Sequence, residues 1–464
     1  MRRARIVIIG GGCSGTLLAL QLMRHLEPSS CEIVMIERAS ELGRGVAYNV
    51  PSDRCKLNVP AHVMGAFPES PDGFLQWLLS HGHAVTADEF VSRDLFGRYL
   101  QDLLKKQAAR FGTSWITIQD EACDLEFDPS LSTWSVLLKS GSQVTADTCV
   151  LALGNMPRSI FQGIPVEGIF RSPYHANSYS DIGQLKRLLV VGSGLTAVDC
   201  VLEAEGRGFR GEYTMLSRHR RLPLAHEDTQ GVTSVPLEPA LTNRLELLSL
   251  PLRSLVRLVS RESRRLGSSQ PAITAIRPHL QDIWMRLSSG DKSRFMRLVR
   301  PLWEVHRHRI PKQHLHQLQE LMRHNRLRLE GGTIKSAHYD ATGVHALITS
   351  GKKVRQEHYD AAMLCTGPES DLSKISTPLV TNLLRRGILA AGKYKLGADL
   401  SRTSLSSDGI SRLKLLGPIQ RESLWEITAV RELRLEAQKI AREITETLGI
   451  LPSATSATPL AARR

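Results

Sequence analysis

Four branched apolar residues, Ile6-Val7-Ile8-Ile9, run without a polar break into Gly10-Gly11-Gly12-Cys13-Ser14-Gly15 and then into Leu17-Leu18-Ala19-Leu20. An apolar run of that length, bounded by glycine, predicts a strand buried on both faces, and the continuing apolar residues predict a helix packed on it. A second run, Ile33-Val34-Met35-Ile36, ends on Glu37. A loop-rich region around Gly43 to Ala61 follows, then a helix-like Phe74 to Leu79 and a longer helix from Asp94 to Arg110. Short strands are predicted at Trp115 to Ile118, Cys123 to Phe127 and Trp134 to Leu138. A further strand from Thr148 runs to Leu153-Gly154.

The same order then recurs. Leu188-Leu189-Val190-Val191 leads into Gly192-Ser193-Gly194-Leu195-Thr196-Ala197 and a helix, and Tyr213 to Leu216 forms the next strand. Strands near Leu327 to Leu329 and Val344 to Ile348 lead to Ala361-Ala362-Met363-Leu364-Cys365-Thr366-Gly367, again closed by glycine. Between them lies an insertion of about residues 235–312, in which Leu252, Leu255, Val256 and Val259 recur at helical spacing while Arg253, Arg257, Arg261 and Arg264 mark another face. A face of that kind suits a membrane surface, but burial of the apolar stripe with the arginines in water is the commoner arrangement. The fold class that results is α/β, with two Rossmann-like dinucleotide-binding domains and a helical insertion in the second. Its divisions are a first part of an FAD domain (1–185), an NAD(P) domain (186–366), a C-terminal part of the FAD domain (367–451) and a disordered tail (452–464).

Gly10, Gly12 and Gly15 fit G-x-G-x-x-G, in which the first glycine makes the turn, the second admits a pyrophosphate and the third lets helix approach strand. The helix N-terminus then faces the phosphates with unpaired N–H groups. Glu37, at the end of the next strand, is placed to accept from ribose hydroxyls; Ser14 and Arg38 complete this first candidate site. In the second copy Gly192 and Gly194 repeat the turn with Ala197 at the third small position, and Ser217-Arg218-His219-Arg220-Arg221 stands where the first copy has Glu37. Arginine cannot accept from ribose but pairs with a 2'-phosphate, so Arg218 favours NADPH over NADH; a solvated basic turn is the plainer alternative.

Composition adds little to the fold, since 42% apolar and 23% charged residues are ordinary for a globular protein. The length of 464 residues calls for two or three domains. The net charge of +14 attracts anions, yet aromatics are only 5% and no nucleic-acid-binding motif is visible, so phosphorylated cofactors and an anionic substrate account for it better. Seven scattered cysteines, at 13, 31, 55, 123, 149, 200 and 365, contain no C-x-x-C. That spacing predicts neither a metal site nor a redox-active disulfide, and so disfavours a disulfide reductase. Only four apolar residues separate Arg5 from the glycines and no apolar run reaches membrane-spanning length, which leaves a cytoplasmic location as the expectation.

The residue pattern resembles the bacterial family of FAD/NAD(P)-binding proteins that includes the FAD-dependent urate hydroxylases. The likeness rests on Gly45-Val46-Ala47-Tyr48, Leu57-Asn58-Val59-Pro60-Ala61 with Met64, Phe74-Leu75-Gln76-Trp77, Trp303-Glu304-Val305-His306-Arg307-His308-Arg309-Ile310-Pro311, Cys365-Thr366-Gly367-Pro368, Gly417-Pro418 and Trp425-Glu426-Ile427-Thr428-Ala429-Val430. More distantly it is similar to the flavin monooxygenases that N-hydroxylate amines. The resemblance implies that Asn58 and Val59 lie near the reactive edge of the flavin and Gly417 beside the ribityl chain. It also implies that a helix beginning near Trp425 points its positive end at the pyrimidine ring, where it would stabilise reduced flavin. Arg421-Glu422-Ser423-Leu424 departs from the glycine-bearing approach often found there. In His306-Arg307-His308-Arg309, Arg307 and Arg309 are candidates for holding an anionic substrate or the NADPH phosphates, with alternating structural residues of a half-buried strand or loop as the equal alternative.

Two dinucleotide sites of opposite charge imply hydride transfer from NADPH (or NADH) to a resident FAD. The expected protein is a monooxygenase in which oxygen adds to the flavin C4a carbon and passes to a small purine-like or amine substrate, with Asn58 at the flavin edge. Two alternatives stay open: an NAD(P)H oxidoreductase serving a quinone or redox protein, and a non-catalytic flavin-binding sensor. Sequence alone leaves the oligomeric state open.

Overall fold

The computed structural model describes residues 3–50, 52–227 and 236–450. Nine strands belong to the first copy: β1 (Ala4–Ile9), β2 (Cys31–Glu37), β3 (Trp115–Gln119), β4 (Ala122–Asp128), β5 (Thr133–Leu138), β6 (Gln143–Ala146), β7 (Thr148–Leu151), and the short pair β8 (Ile160–Phe161) and β9 (Ile164–Pro165). The second copy holds β10 (Arg187–Val191), β11 (Glu212–Ser217), β12 (Leu327–Gly331), β13 (Thr333–Asp340), β14 (Gly343–Ser350), β15 (Lys353–Tyr359) and β16 (Ala361–Leu364); β17 (Leu413–Leu415) follows.

The first sheet has the order β17-β7-β1-β2-β3 and is parallel throughout, with Ile6 opposite Ile33 and Thr148. Ile6 and Ile8 face a core shared with helices Cys13–His25, Arg93–Phe111 and Val430–Leu448, while Val7 and Ile9 face another shared with the meander β4-β5-β6 and helix Pro378–Arg385. Burial on both sides is why this strand reads as an unbroken apolar run. The second sheet, β12-β11-β10-β16, is also parallel and repeats the plan, with helices Leu195–Gly206 and Lys312–Arg323 on one face and the antiparallel meander β13-β14-β15 on the other. The internal repeat is therefore larger than its glycine turns suggest. Each copy is strand, helix, strand, strand, meander and closing strand.

The chain between β11 and β12 contains helices Arg244–Ser249, Leu252–Arg265, Gln270–Ile276, Leu280–Arg286, Ser289–Arg294 and Arg300–Arg307, packed around Trp284, Phe295 and Trp303. In helix Leu252–Arg265 the buried stripe is Leu252, Leu255 and Leu258, whereas Val256 is exposed; the stripe is rotated from the expected one, and Arg253, Arg257, Arg261 and Arg264 face water. After β16 the chain returns to the first sheet through β17 and helix Val430–Leu448, which packs on helix Cys13–His25.

Two expectations need correcting. His306 and Arg307 end helix Arg300–Arg307 rather than lying in a strand, because apolar Trp303 and polar Glu304, Arg307 and His308 follow helical spacing. The helix after Trp425 starts at Val430 with Ala429 as its cap, since residues 418–429 are taken up by turns. No described helix is long and apolar enough to cross a membrane. The expected tail at 452–464, and position 235 of the insertion, lie outside the described residues.

Candidate functional site

The first glycine turn is built by exclusion of side-chain volume. Gly10 has φ +107°, and a Cβ there would collide with the Ala152 carbonyl; a Cβ on Gly15 would collide with the Gly10 carbonyl, where the helix passes the strand end. Helix Cys13–His25 then begins with no acidic residue in its first turn and no side-chain cap on its N–H groups. Those donors are open to an anion. Gly45 folds over the turn, its Cα 3.3 Å from where a Gly12 Cβ would stand, so this cradle is walled by glycine on both sides. Glu37 reaches it from β2: Oε2 accepts from Gly11 N–H at 2.7 Å and Oε1 from Ala39 N–H at 2.9 Å. Arg38 beside it is exposed. Gly417, with φ +91°, comes so close to buried Ser14 that a Cβ would sit 2.6 Å from its Oγ. Ser14 and Gly417, far apart in sequence, thus share one wall.

The second turn has the same plan and a different rim. A Cβ on Gly192 (φ +122°) would meet the Cys365 carbonyl, whereas a Cβ on Gly194 would meet open space, and helix Leu195–Gly206 again lacks a side-chain cap. Ser193 Oγ donates to the Arg221 carbonyl at 2.6 Å, tying the turn to the basic loop in which Arg218, His219, Arg220 and Arg221 are all exposed. Gly367 (φ +78°), just after β16, is half-buried and opens onto space in which a Cβ would meet no atom within 4 Å. The two connections between domains are clasped there by Arg158, which donates to Glu369 at 2.6 Å and to the Pro368 carbonyl at 3.2 Å.

Asn58 and Val59 are half-buried, and the Asn58 carbonyl accepts from His226 Nε2 at 2.9 Å. His226 comes from the second copy and packs on the Phe90 ring, 4.9 Å between centroids. Burial lowers its pKa more than the Asn58 carbonyl raises it, so the neutral ring is favoured. No motif in the sequence points to His226. Its role follows from a contact between domains.

The remaining candidates have internal partners. Trp425 is 2% exposed and lies among Trp284, Phe295 and Arg421, in the core of the insertion. Arg307 pairs with Glu426 at 3.1 Å, and Trp303 Nε1 donates to the same carboxylate at 2.8 Å. Burial alone would push the Glu304 carboxyl up, but the His308 hydrogen bond and nearby Arg300 and Arg421 outweigh it and hold it at about 2. Arg309 donates to the Ala225 carbonyl at 2.8 Å, Ser269 Oγ at 2.8 Å, the His306 carbonyl at 3.1 Å and Glu227 at 3.2 Å. Both arginines thus join the insertion to its surroundings.

The cysteines are unpaired thiols among the described residues. Burial pushes Cys13 up to about 12 despite a hydrogen bond with Tyr48. Cys200 and Cys365 do meet in the second domain's core, a proximity their spacing conceals, but burial raises the Cys365 thiol well above its usual range. Cys365 is thus not poised as a thiolate for exchange.

The domains also meet through Arg93, which donates to Asp199 at 2.7 Å and to the Lys56 carbonyl at 3.0 Å. His314 lies alongside; burial first, then the charges of Lys56 and Arg93, lower it from the usual 6.5 to about 4. A histidine held neutral in the fold but not in the unfolded chain stabilises the fold above pH 6.5 and loses that contribution as pH falls towards 4. His314→Gln is therefore expected to flatten the loss of thermal stability between those pH values, measured by unfolding across a pH series.

Two parallel sheets, each covered by helices on one face and a meander on the other, each with an uncapped glycine turn and the first completed by the chain's C-terminal part, define a Rossmann-type fold of two dinucleotide-binding-type domains. A family model described as FAD-NAD(P)-binding matches residues 7–156, which are thus an FAD-NAD(P)-binding domain. No curated protein matches the sequence. Among solved structures, the chain is similar to the reduced form of ornithine hydroxylase (PvdA) from Pseudomonas aeruginosa, with a TM-score of 0.66 at 15% identity over 96% of this chain and 100% of that one. It is also similar to the ornithine N-hydroxylase of Kutzneria sp. 744 (0.62, 14%, 97% and 99%) and to L-lysine 6-monooxygenase from Pseudomonas syringae (0.61, 17%, 96% and 100%).

Proposed function

We propose that the protein is an FAD-containing, NADPH-using monooxygenase that hydroxylates a small purine-like or amine substrate. The observation that carries this reading is the pairing of two open glycine turns with opposite rims, the carboxylate of Glu37 at one and exposed Arg218 at the other. FAD fits the first: phosphates over Gly10, Gly12 and Gly15, ribose at Glu37, and the chain along Ser14 and Gly417. Bound there, FAD supplies the electron transfer and oxygen chemistry that no side chain can. The chain's own residues bind and orient. His226 fixes the loop of Asn58 and Val59, and Arg158 clasps the domain connections. The hydroxylases among the structural neighbours support the same reaction class, and the raised thiols of Cys13 and Cys365 support it over disulfide reduction.

The test is NADPH oxidation and oxygen uptake by the purified yellow protein against a panel of purines and amines, with product identified by mass. A hydroxylated product confirms the reading; turnover with quinones under anaerobic conditions and no oxygenated product overturns it. For Arg218, a charge-assisted hydrogen bond to the 2'-phosphate is worth about 1.5–3 kcal/mol. Arg218→Ala is expected to raise KM for NADPH by about tenfold to a hundredfold while leaving that for NADH unchanged. Equal effects on both cofactors would assign the basic loop no role in phosphate recognition.

A further inference from the structure

The meander β13-β14-β15 carries a row of imidazoles on its solvent face. His338 lies opposite His345, and His345 opposite His358, in the registers of the two antiparallel pairs. The His338 and His345 rings stack at 4.9 Å and 10°, and the His345 and His358 rings lie 4.8 Å apart. Asp340 stands beside them. Its Oδ1 accepts from the Thr342 N–H at 2.8 Å and hydroxyl at 2.7 Å, which turns Oδ2 towards His345 Nε2 at 3.0 Å. One ligand atom from each of His338, Asp340 and His345 lies within 4.8 Å of the others.

We propose that His338, Asp340 and His345 form a binding site for a late first-row divalent cation, with zinc as its representative. Two imidazoles and a carboxylate are the donor set such ions prefer, and a water completes the tetrahedron. Bonds of about 2.1 Å put tetrahedral ligand atoms roughly 3.4 Å apart, so the widest separation must close by roughly 1.4 Å. Asp340 Oδ2 and His345 Nε2 are already 3.0 Å apart, and the exposed His338 ring is the group that must turn towards them. The second shell is in place. Thr342 orients Asp340, and the Thr342 carbonyl accepts from His358 Nε2 at 2.9 Å, fixing the third ring beside the site. Coordination by His338 and His345, which stand opposite each other on neighbouring strands, would clip β13 to β14 across the hairpin.

The site needs no flavin chemistry, so its test is independent of the proposed activity. Untagged full-length protein, washed with chelator, is titrated with zinc chloride by calorimetry alongside His338→Ala, Asp340→Asn, His345→Ala and His316→Ala, the last on the exposed face of helix Lys312–Arg323. One saturable site is expected in the wild type and in His316→Ala, weakened at least about tenfold in the other three. These substitutions lie on a solvent face, so folding is retained and checked by the melting curve. No saturable binding in the wild type, or unchanged binding in His345→Ala, overturns the proposal.

Discussion

Gly10→Ala is expected to yield protein that has lost its flavin and much of its stability. Two costs coincide at this position. The backbone is held at φ +107°, a conformation an L side chain rarely adopts, and the added Cβ collides with the Ala152 carbonyl, which is backbone and cannot swing away. Strain of about 1–3 kcal/mol and overpacking of a similar size together amount to roughly 2–6 kcal/mol, a large part of a domain's stability. Relief requires β1 and the end of β7 to separate, which moves the phosphate-facing N–H groups. The measurements are the melting temperature and the ratio of flavin to protein absorbance. Gly12→Ala is the informative partner, because its Cβ meets only Gly45 at 3.3 Å and fits after a small shift. It is expected to fold normally yet lose flavin, since the methyl fills the space where a pyrophosphate would lie. Full flavin content in both variants would remove the first turn as the cofactor site.

How much of this was legible depends on where each element is buried. β1, β2, β7, β10, β11 and β16 are covered on both faces, so their sequences are continuous apolar runs and their glycine turns follow directly. β6, β8, β9, β13, β15 and β17 are the strands absent from the sequence reading: Lys353 to His358, for one, holds a single apolar residue, the exposed Val354, so no apolar alternation marks it. The residues at the glycine turns could be named because backbone geometry dictates their type. The partners of the other candidates could not, because arginine and tryptophan signal chemistry without signalling partners. Arg307, Arg309 and Trp425 read equally well as ligand contacts, yet their partners are Glu426, the Ala225 carbonyl and Trp284. His226 and the Arg93–Asp199 pair depend on contacts between copies, which no local pattern carries.

Arg93→Ala is expected to destabilise the protein by about 3 kcal/mol, near the low end for breaking a buried ion pair because the two side chains keep 18% and 16% of their exposure. The loss exceeds that of one hydrogen bond. Asp199 is left on helix Leu195–Gly206 without its partner, and the Lys56 carbonyl loses its donor as well. Burial already pushes the Asp199 carboxyl up against the opposing pull of Arg93, and without the arginine it rises further. An acid whose pKa is higher in the fold than in the unfolded chain stabilises the fold at low pH and loses that contribution as pH rises through the folded value. The deficit of Arg93→Ala is therefore expected to be greatest near neutrality and to shrink on mild acidification. Asp199→Asn in the Arg93→Ala background should recover part of it, since the amide carries no charge to bury. Unfolding of the single and double variants across pH measures both. An Arg93→Ala protein as stable as the wild type at pH 7, or a deficit that grows on acidification, would show that this pair does not hold the two dinucleotide domains together.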